Sequence, residues 1–287
     1  MATLQELRSR VKSIKSTQKI TKAMKIVAAA KMKRMRGLVE HTAEYTKSIA
    51  SIICSLAHNA WEADLSDLKR RMLLEDKKEY KKEVVIVLSA DKGLCGSFNS
   101  SLLRNLKRHL DAMQDFRLIL VGRRGYEYLK QRYNDRILLH EYNSAPPEAL
   151  ANSLLEAIYK EFESHESICI KVYFTQFKSA LMQFPVIRRL LPFDMEANAQ
   201  NDILTPSLEL EGKGLAETVM DLYLRTSLIE YILNSRVSEE ASRMTAMESA
   251  NSSAKKVLDK LTISMNRKRQ AMITNELIEV ISGASSV

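Results

Sequence analysis

Leu4-Gln-Glu-Leu7-Arg-Ser-Arg-Val11-Lys-Ser-Ile14-Lys-Ser-Thr-Gln18 sets seam residues at alternating steps of three and four. The spacing continues through Thr21, Lys25, Ala28, Met32, Met35, Val39, Thr42, Thr46, Ile49, Ile53 and Leu56. Eight heptads of this kind predict a coiled-coil helix over residues 1–60. At ~1.5 Å per residue, residues 3–58 alone would make a rod about 80 Å long, longer than a single small domain is wide. The seam turns polar at Gln18, Thr21 and Lys25. An apolar stripe through Ile20, Met24, Val27 and Ala28 lies beside it, which predicts that the contact face slips there with a local change of supercoil.

The end of the chain repeats this texture. No proline falls between Leu208 and Ile281, and Val237, Ala241, Met244, Met247, Ala254, Leu258, Leu261, Met265 and Met272 follow at helical steps. A second coiled-coil helix is expected over 208–287. Neither thin stripe can stand alone in water, so the two helices are expected to pair antiparallel.

The middle has a different period. Glu83-Val-Val-Ile-Val-Leu-Ser89, Phe116-Arg-Leu-Ile-Leu-Val121 and Ser167-Ile-Cys-Ile-Lys-Val-Tyr-Phe174 are short β-branched runs, with helical patterns at 99–113, 123–133 and 146–164. Alternating strand and helix predicts a parallel sheet in a Rossmann-like α/β domain over 83–207. Residues 61–82 read as a charged connector. The expected fold is therefore α/β, an antiparallel coiled coil of both termini with an inserted α/β domain.

Composition agrees. Eight glycines and five prolines in 287 residues fall well under the roughly 12% of average usage, which disfavours loop-rich and small all-β folds. Hydrophobic residues at 45% and charged residues at 28% exclude wholesale disorder. No apolar run reaches the length of a bilayer span, and Met1 leads straight into the amphipathic pattern, so no signal peptide is expected. Cys54, Cys95 and Cys169 make no C-x-x-C pair, which predicts a reducing compartment.

Charge is concentrated. Residues 1–36 hold eleven basic side chains and one acid, Glu6, whereas the whole chain carries +9. A basic rod on a near-neutral body calls for a negatively charged partner: nucleic acid, a membrane surface or an acidic protein collar. A coiled-coil nucleic-acid-binding module is one such reading.

Few residues offer chemistry. Ser89-Ala-Asp-Lys-Gly-Leu-Cys-Gly-Ser97 follows a strand as phosphate-binding turns do. It matches neither dinucleotide nor P-loop spacing, because only Gly93 and Gly96 are present. The alternative is a strand-to-helix turn whose glycines permit positive φ. Cys95 beside Lys92 has no nearby histidine to activate it, and His41, His58, His109, His140 and His165 form no metal-ligand spacing. No catalytic, cofactor or metal site is expected. Of the thirteen methionines, Met24, Met32, Met35, Met244, Met247, Met265 and Met272 fall in the two long helices, where they fill a core or offer a pliable apolar surface.

Ile20-Thr-Lys-Ala-Met-Lys-Ile-Val-Ala-Ala-Ala-Lys-Met32 resembles the N-terminal helix signature of the γ subunits of bacterial F-type ATP synthases. The Ser89–Asn99 stretch is similar to that family's strand–turn–helix motif, with Lys92 where the family usually has arginine. Ala241-Ser-Arg-Met-Thr-Ala-Met-Glu248 and Asn266-Arg-Lys-Arg-Gln-Ala-Met-Ile-Thr-Asn-Glu-Leu-Ile-Glu279 resemble its C-terminal helix. The middle lacks the long cysteine-bearing insertion of the chloroplast form.

The resemblance implies a non-catalytic central-stalk rotor shaft, coupling proton flow through a membrane ring to the β catalytic sites. Its implied partners are the α and β subunits as an α3β3 hexamer, the ε subunit and the c-ring, with no nucleic acid and no bilayer insertion. It implies a place on the cytoplasmic face of the bacterial inner membrane. It also implies β-subunit contacts at Met24, Lys25, Arg243, Arg269, Gln270, Thr274 and Glu276, and no cofactor.

Overall fold

A computed structural model describes residues 3–58, 66, 80, 82–164, 168–194 and 215–284. Most of the expected connector 61–82 and the expected helical start at 208–214 lie outside the described residues. The chain forms two compact units, residues 1–29 with 243–287, and residues 30–242. Helix α1 (Leu4–His58) and helix α5 (Leu215–Ala284) each contribute to both.

Helix α1 starts with a reciprocal cap. The Thr3 amide donates to Glu6 Oε2 at 3.0 Å, and the Glu6 amide donates to Thr3 Oγ1 at 3.2 Å. Two otherwise unpaired amides are satisfied, and Glu6 also faces the positive end of the helix dipole.

In the larger unit, strands β1 (Lys82–Leu88), β2 (Phe116–Val121), β3 (Ile137–Glu141), β4 (Ile168–Phe177) and β5 (Gln183–Leu191) form one sheet in the order β3-β2-β1-β4-β5. The first four are parallel, and β5 runs antiparallel to β4. Helices α2 (Phe98–Leu110), α3 (Arg123–Tyr133) and α4 (Pro147–Ser164) make the crossovers.

Strand alternation divides the core in two. Val85, Val87, Leu118 and Leu120 face Leu102, Leu106 and Leu110 of α2 and Leu129 of α3. Val84, Ile86, Leu88, Ile170 and Val172 face α4, together with Ile49 and Ile53 of α1 and Met220, Leu224, Leu228 and Ile232 of α5. Burial on both faces explains why β1, β2 and β4 read as unbroken apolar runs.

Two strands were not expected. β3 is a five-residue edge strand. β5 carries Pro185, Arg188 and Arg189, residues that argue against a central strand but are tolerated at an edge, where one row of amides needs no partner.

In the smaller unit, Lys25 pairs with Glu248, and the seam positions Leu7, Thr21 and Ala28 of α1 and Met247 and Leu258 of α5 are buried. The pairing is antiparallel, as expected. Of the stripe Ile20, Met24, Val27 and Ala28 that was expected to take over the contact, Ala28 is buried and Met24 half-buried, but Ile20 and Val27 are 57% and 54% exposed, so the contact face does not move onto it as a whole. The polar seam is retained because it can be satisfied in place. The Thr21 hydroxyl donates to the Gln18 carbonyl at 3.1 Å, and the Lys25 stem lies in the seam while its ammonium reaches Glu248 at the rim.

The α5 stripe also ends earlier than expected, with Met272 42% exposed. Lys25 to Leu4 and Glu248 to Arg269 are the same 21 residues. Beyond Arg269 there is accordingly no α1 residue left for α5 to pack against.

Candidate functional site

The turns after β1, β2 and β3 come together at the carboxyl end of the parallel strands, where open α/β sheets ordinarily bind ligands. Their geometry is fixed by Ser89. Its buried hydroxyl donates toward the carbonyls of Val121 and Gly122, at 2.8 and 3.2 Å, and accepts from the Gly125 amide at 2.9 Å. A Cβ on Gly122, which has φ +96°, would lie 2.2 Å from the Ser89 carbonyl oxygen, so the two backbones can approach only at glycine. In the turn itself Gly96 has φ +58°, but the other left-handed residue is Leu94 at +63°, not Gly93.

Helix α5 is hydrogen-bonded to this end of the sheet. The Ser235 hydroxyl donates to the Leu88 carbonyl at 3.1 Å, and the Ser238 hydroxyl to the Thr175 carbonyl at 2.9 Å. Arg236 donates to Asn143 Oδ1 at 3.0 Å and to the Ala145 carbonyl at 2.6 Å. Asn143 in turn donates its amide to Asp91 Oδ1 at 3.0 Å and its side-chain Nδ2 to Glu239 at 3.4 Å. Asp91 also accepts the Arg123 amide at 3.1 Å. Burial pulls the Arg236 guanidinium below its ordinary range, against the opposing pull of Glu239, Asp91 and Glu148. The Ser89–Ser97 turn is thus part of a junction with a helix. Sequence reasoning missed Ser235, Arg236 and Ser238, whose only signal was a polar patch in an otherwise apolar helix.

The thiols are not disposed for chemistry. Cys95 is buried and accepts the Asn99 Nδ2 hydrogen bond at 3.3 Å. Burial pushes the Cys169 thiol up to about 11 and raises that of Cys54. Among the described residues no cluster of three histidine, cysteine or acidic side chains is placed to hold a metal ion, and no helix is long and apolar enough to cross a membrane.

The expected partner-contacting residues fall into three groups. Met24, beside the α1 seam, and Lys25, within it, are half-buried, with Lys25 engaged by Glu248. Arg243 is buried, only 8% exposed, and has contacts of its own within the chain. Arg269, level with Leu4 at the start of α1, and Gln270, Thr274 and Glu276 beyond it are exposed, and the Thr274 hydroxyl donates to the Gln270 carbonyl at 2.9 Å. Helical spacing puts Arg269 and Glu276 on one face. Large apolar side chains are exposed at two separate places, Ile20, Ile26 and Val27 along α1 and Ile273, Leu277, Ile278 and Ile281 toward the end of α5. Ile26 was not singled out from the sequence, although its place off the heptad seam was the available signal.

The family profile described as ATP synthase matches residues 3–287. The ATP synthase gamma chain of Rickettsia prowazekii (strain Madrid E) is 35% identical over 296 residues, covering 100% of both chains. That of Pelagibacter ubique (strain HTCC1062) is 35% identical over 298 residues, again covering 100% of each. Among solved structures, a chain of the Tetrahymena thermophila mitochondrial ATP synthase central stalk and c-ring is 27% identical with a TM-score of 0.59, covering 80% of this chain and 99% of that one. A chain of the Euglena gracilis mitochondrial enzyme shares the fold at 17% identity and TM-score 0.68, covering 99% and 94%.

Proposed function

Since this chain belongs to the ATP synthase gamma chain family, we propose how its own residues perform the work of a shaft. It is the central-stalk rotor subunit of an F-type ATP synthase, non-catalytic itself, with the α3β3 hexamer and the c-ring as partners. The observation that carries this is the 35% identity spanning both chains from end to end. The nucleic-acid alternative is set aside, because the match runs through the α/β domain as well as the basic helix.

Four parts divide the labour: residues 1–60 and 208–287 as the shaft, 61–82 as a connector, and 83–207 as the foot, beside the ε subunit and the ring. The shaft sits at the cytoplasmic face of a bacterial inner membrane. Met24 and Lys25, with exposed Ile20, Ile26 and Val27, meet an acidic part of β. Lys25 is bridged to Glu248, so it presents a partly neutralised cation that does not hold β in one angular position. Arg243 supports the α5 face from within. Arg269, Gln270, Thr274 and Glu276 make the polar contacts of the tip with β loops. The apolar side chains around them exclude water without choosing a rotational angle, since apolar contact is non-directional. The test is affinity capture from a membrane extract. Co-purification of α and β, with ATP-driven proton pumping that needs this chain, supports the reading; capture without them overturns it.

A further inference from the structure

Torque passes between α5 and the α/β domain, so something must fix the helix against both sliding and turning. Along α5 the contacts change character. From Met220 to Ile232 the helix meets the sheet through apolar side chains. Such contacts hold two surfaces together with little preference for register. Over the next turns Ser235, Arg236, Ser238 and Glu239 replace them with hydrogen bonds to the carboxyl end of the sheet. These are directional and weaken steeply when donor and acceptor move apart.

Arg236 is the centre of this set. Its two donors reach Asn143 Oδ1 and the Ala145 carbonyl, both in the connection after β3. Asn143, 7% exposed, passes the restraint to Asp91 in the turn after β1, and Asp91 accepts the Arg123 amide after β2. One guanidinium on the shaft helix thereby engages the turns after β1, β2 and β3.

We propose that Arg236, through Asn143 and Asp91, is the registration latch of the rotor, a positioning residue that keeps α5 from slipping against the α/β domain under load. The proposal rests on the rotor-shaft reading and adds the residues that carry its torque at the foot.

The experiment reconstitutes the whole synthase into liposomes with Arg236→Ala, Arg236→Lys, Asn143→Ala or both alanine changes. Assembly, ATP hydrolysis with uncoupler and protons pumped per ATP are each measured. Arg236→Ala and Asn143→Ala are expected to assemble and to hydrolyse ATP at near wild-type rates. The rate of uncoupled turnover should rise about tenfold, the factor corresponding to one charge-assisted hydrogen bond. Arg236→Lys, which keeps the charge but cannot reach both oxygens as a fork, should fall between wild type and alanine. The double variant should be no worse than the worse single one, because both remove the same restraint. Wild-type pumping per ATP in every assembled variant would overturn the latch while leaving the shaft reading intact. Loss of assembly in all four variants would also overturn it, since Arg236 would then be a folding determinant. Failure of the wild-type chain to join α and β would instead overturn the shaft reading itself.

Discussion

The hydroxyl of Ser235 donates to the main-chain carbonyl of Leu88 at 3.1 Å, spanning 147 residues of sequence to bring a shaft helix to the end of a central β-strand. A nucleotide there would have to compete with the helix for the end of that strand, and the turn beside it lacks a phosphate-binding glycine pattern. Calorimetric titration of the isolated chain with ATP is expected to give no saturable micromolar binding. Saturable binding lost on altering Gly93 would contradict this.

Glycines at Gly122 and Gly37 should respond oppositely to alanine. At Gly122 the new Cβ would lie 2.2 Å from the Ser89 carbonyl at φ +96°, and a loss of about 3 kcal/mol or more is expected. At Gly37 nothing lies within 4 Å of the added Cβ, and α1 should gain about 0.5–1 kcal/mol. Thermal melting of the two variants checks both signs.

Ile20 and Val27 are exposed in the chain by itself. Replacing both with serine should shift the stability of the isolated protein by less than about 0.5 kcal/mol per site. The same variants should recover less α and β on co-purification, because their burial against a partner is lost. A large drop in melting temperature without any change in assembly would place these residues in the chain's own core.

Truncations report on the register. Loss of the residues after Ile281 should leave assembly and pumping largely intact, since α5 has no α1 partner there. Loss of everything beyond Leu261 removes what packs opposite Leu4 and Leu7. Hydrogen exchange over residues 4–14 should then approach that of a free helix, with weak assembly or coupling. Unchanged protection there would refute the antiparallel register.

His109 gives the pH dependence. Burial pulls its imidazole below the ordinary 6.5, Lys171 adds to this and Glu83 opposes it. The folded state therefore binds the proton less readily than the unfolded one. The associated stability is present above about pH 6.5 and is lost as pH falls through the lowered value. His109→Phe, with its ring kept near Tyr173, should melt with less difference between pH 5 and pH 7.5 than wild type. An unaltered difference would assign the acid sensitivity to other groups.

Much of the architecture was legible because it depends on local period. Leu4 to Ile53 announces a seam, and the runs at 83–89, 116–121 and 167–174 announce strands buried on both faces. β5 was not legible, because Pro185 and two arginines are acceptable only at an edge, and edge position is not a local property. Of the candidate site, Arg269, Gln270, Thr274 and Glu276 were named through the family resemblance, since helical period alone reads them as a solvated face. The burial of Arg243 was not legible either, since nothing local distinguishes a buried arginine from a solvated one.

The sequence by itself determined the two amphipathic helices, the core strands between them and the basic end, each through side chains at a repeating interval. Tertiary structure alone decided which stripe of α1 meets α5, and what Ser235, Arg236 and Ser238 are for. The reason is physical. A polar side chain is stable in an interior only if its partner is there, and the partners Leu88, Asn143 and Thr175 are supplied by segments far away in the chain.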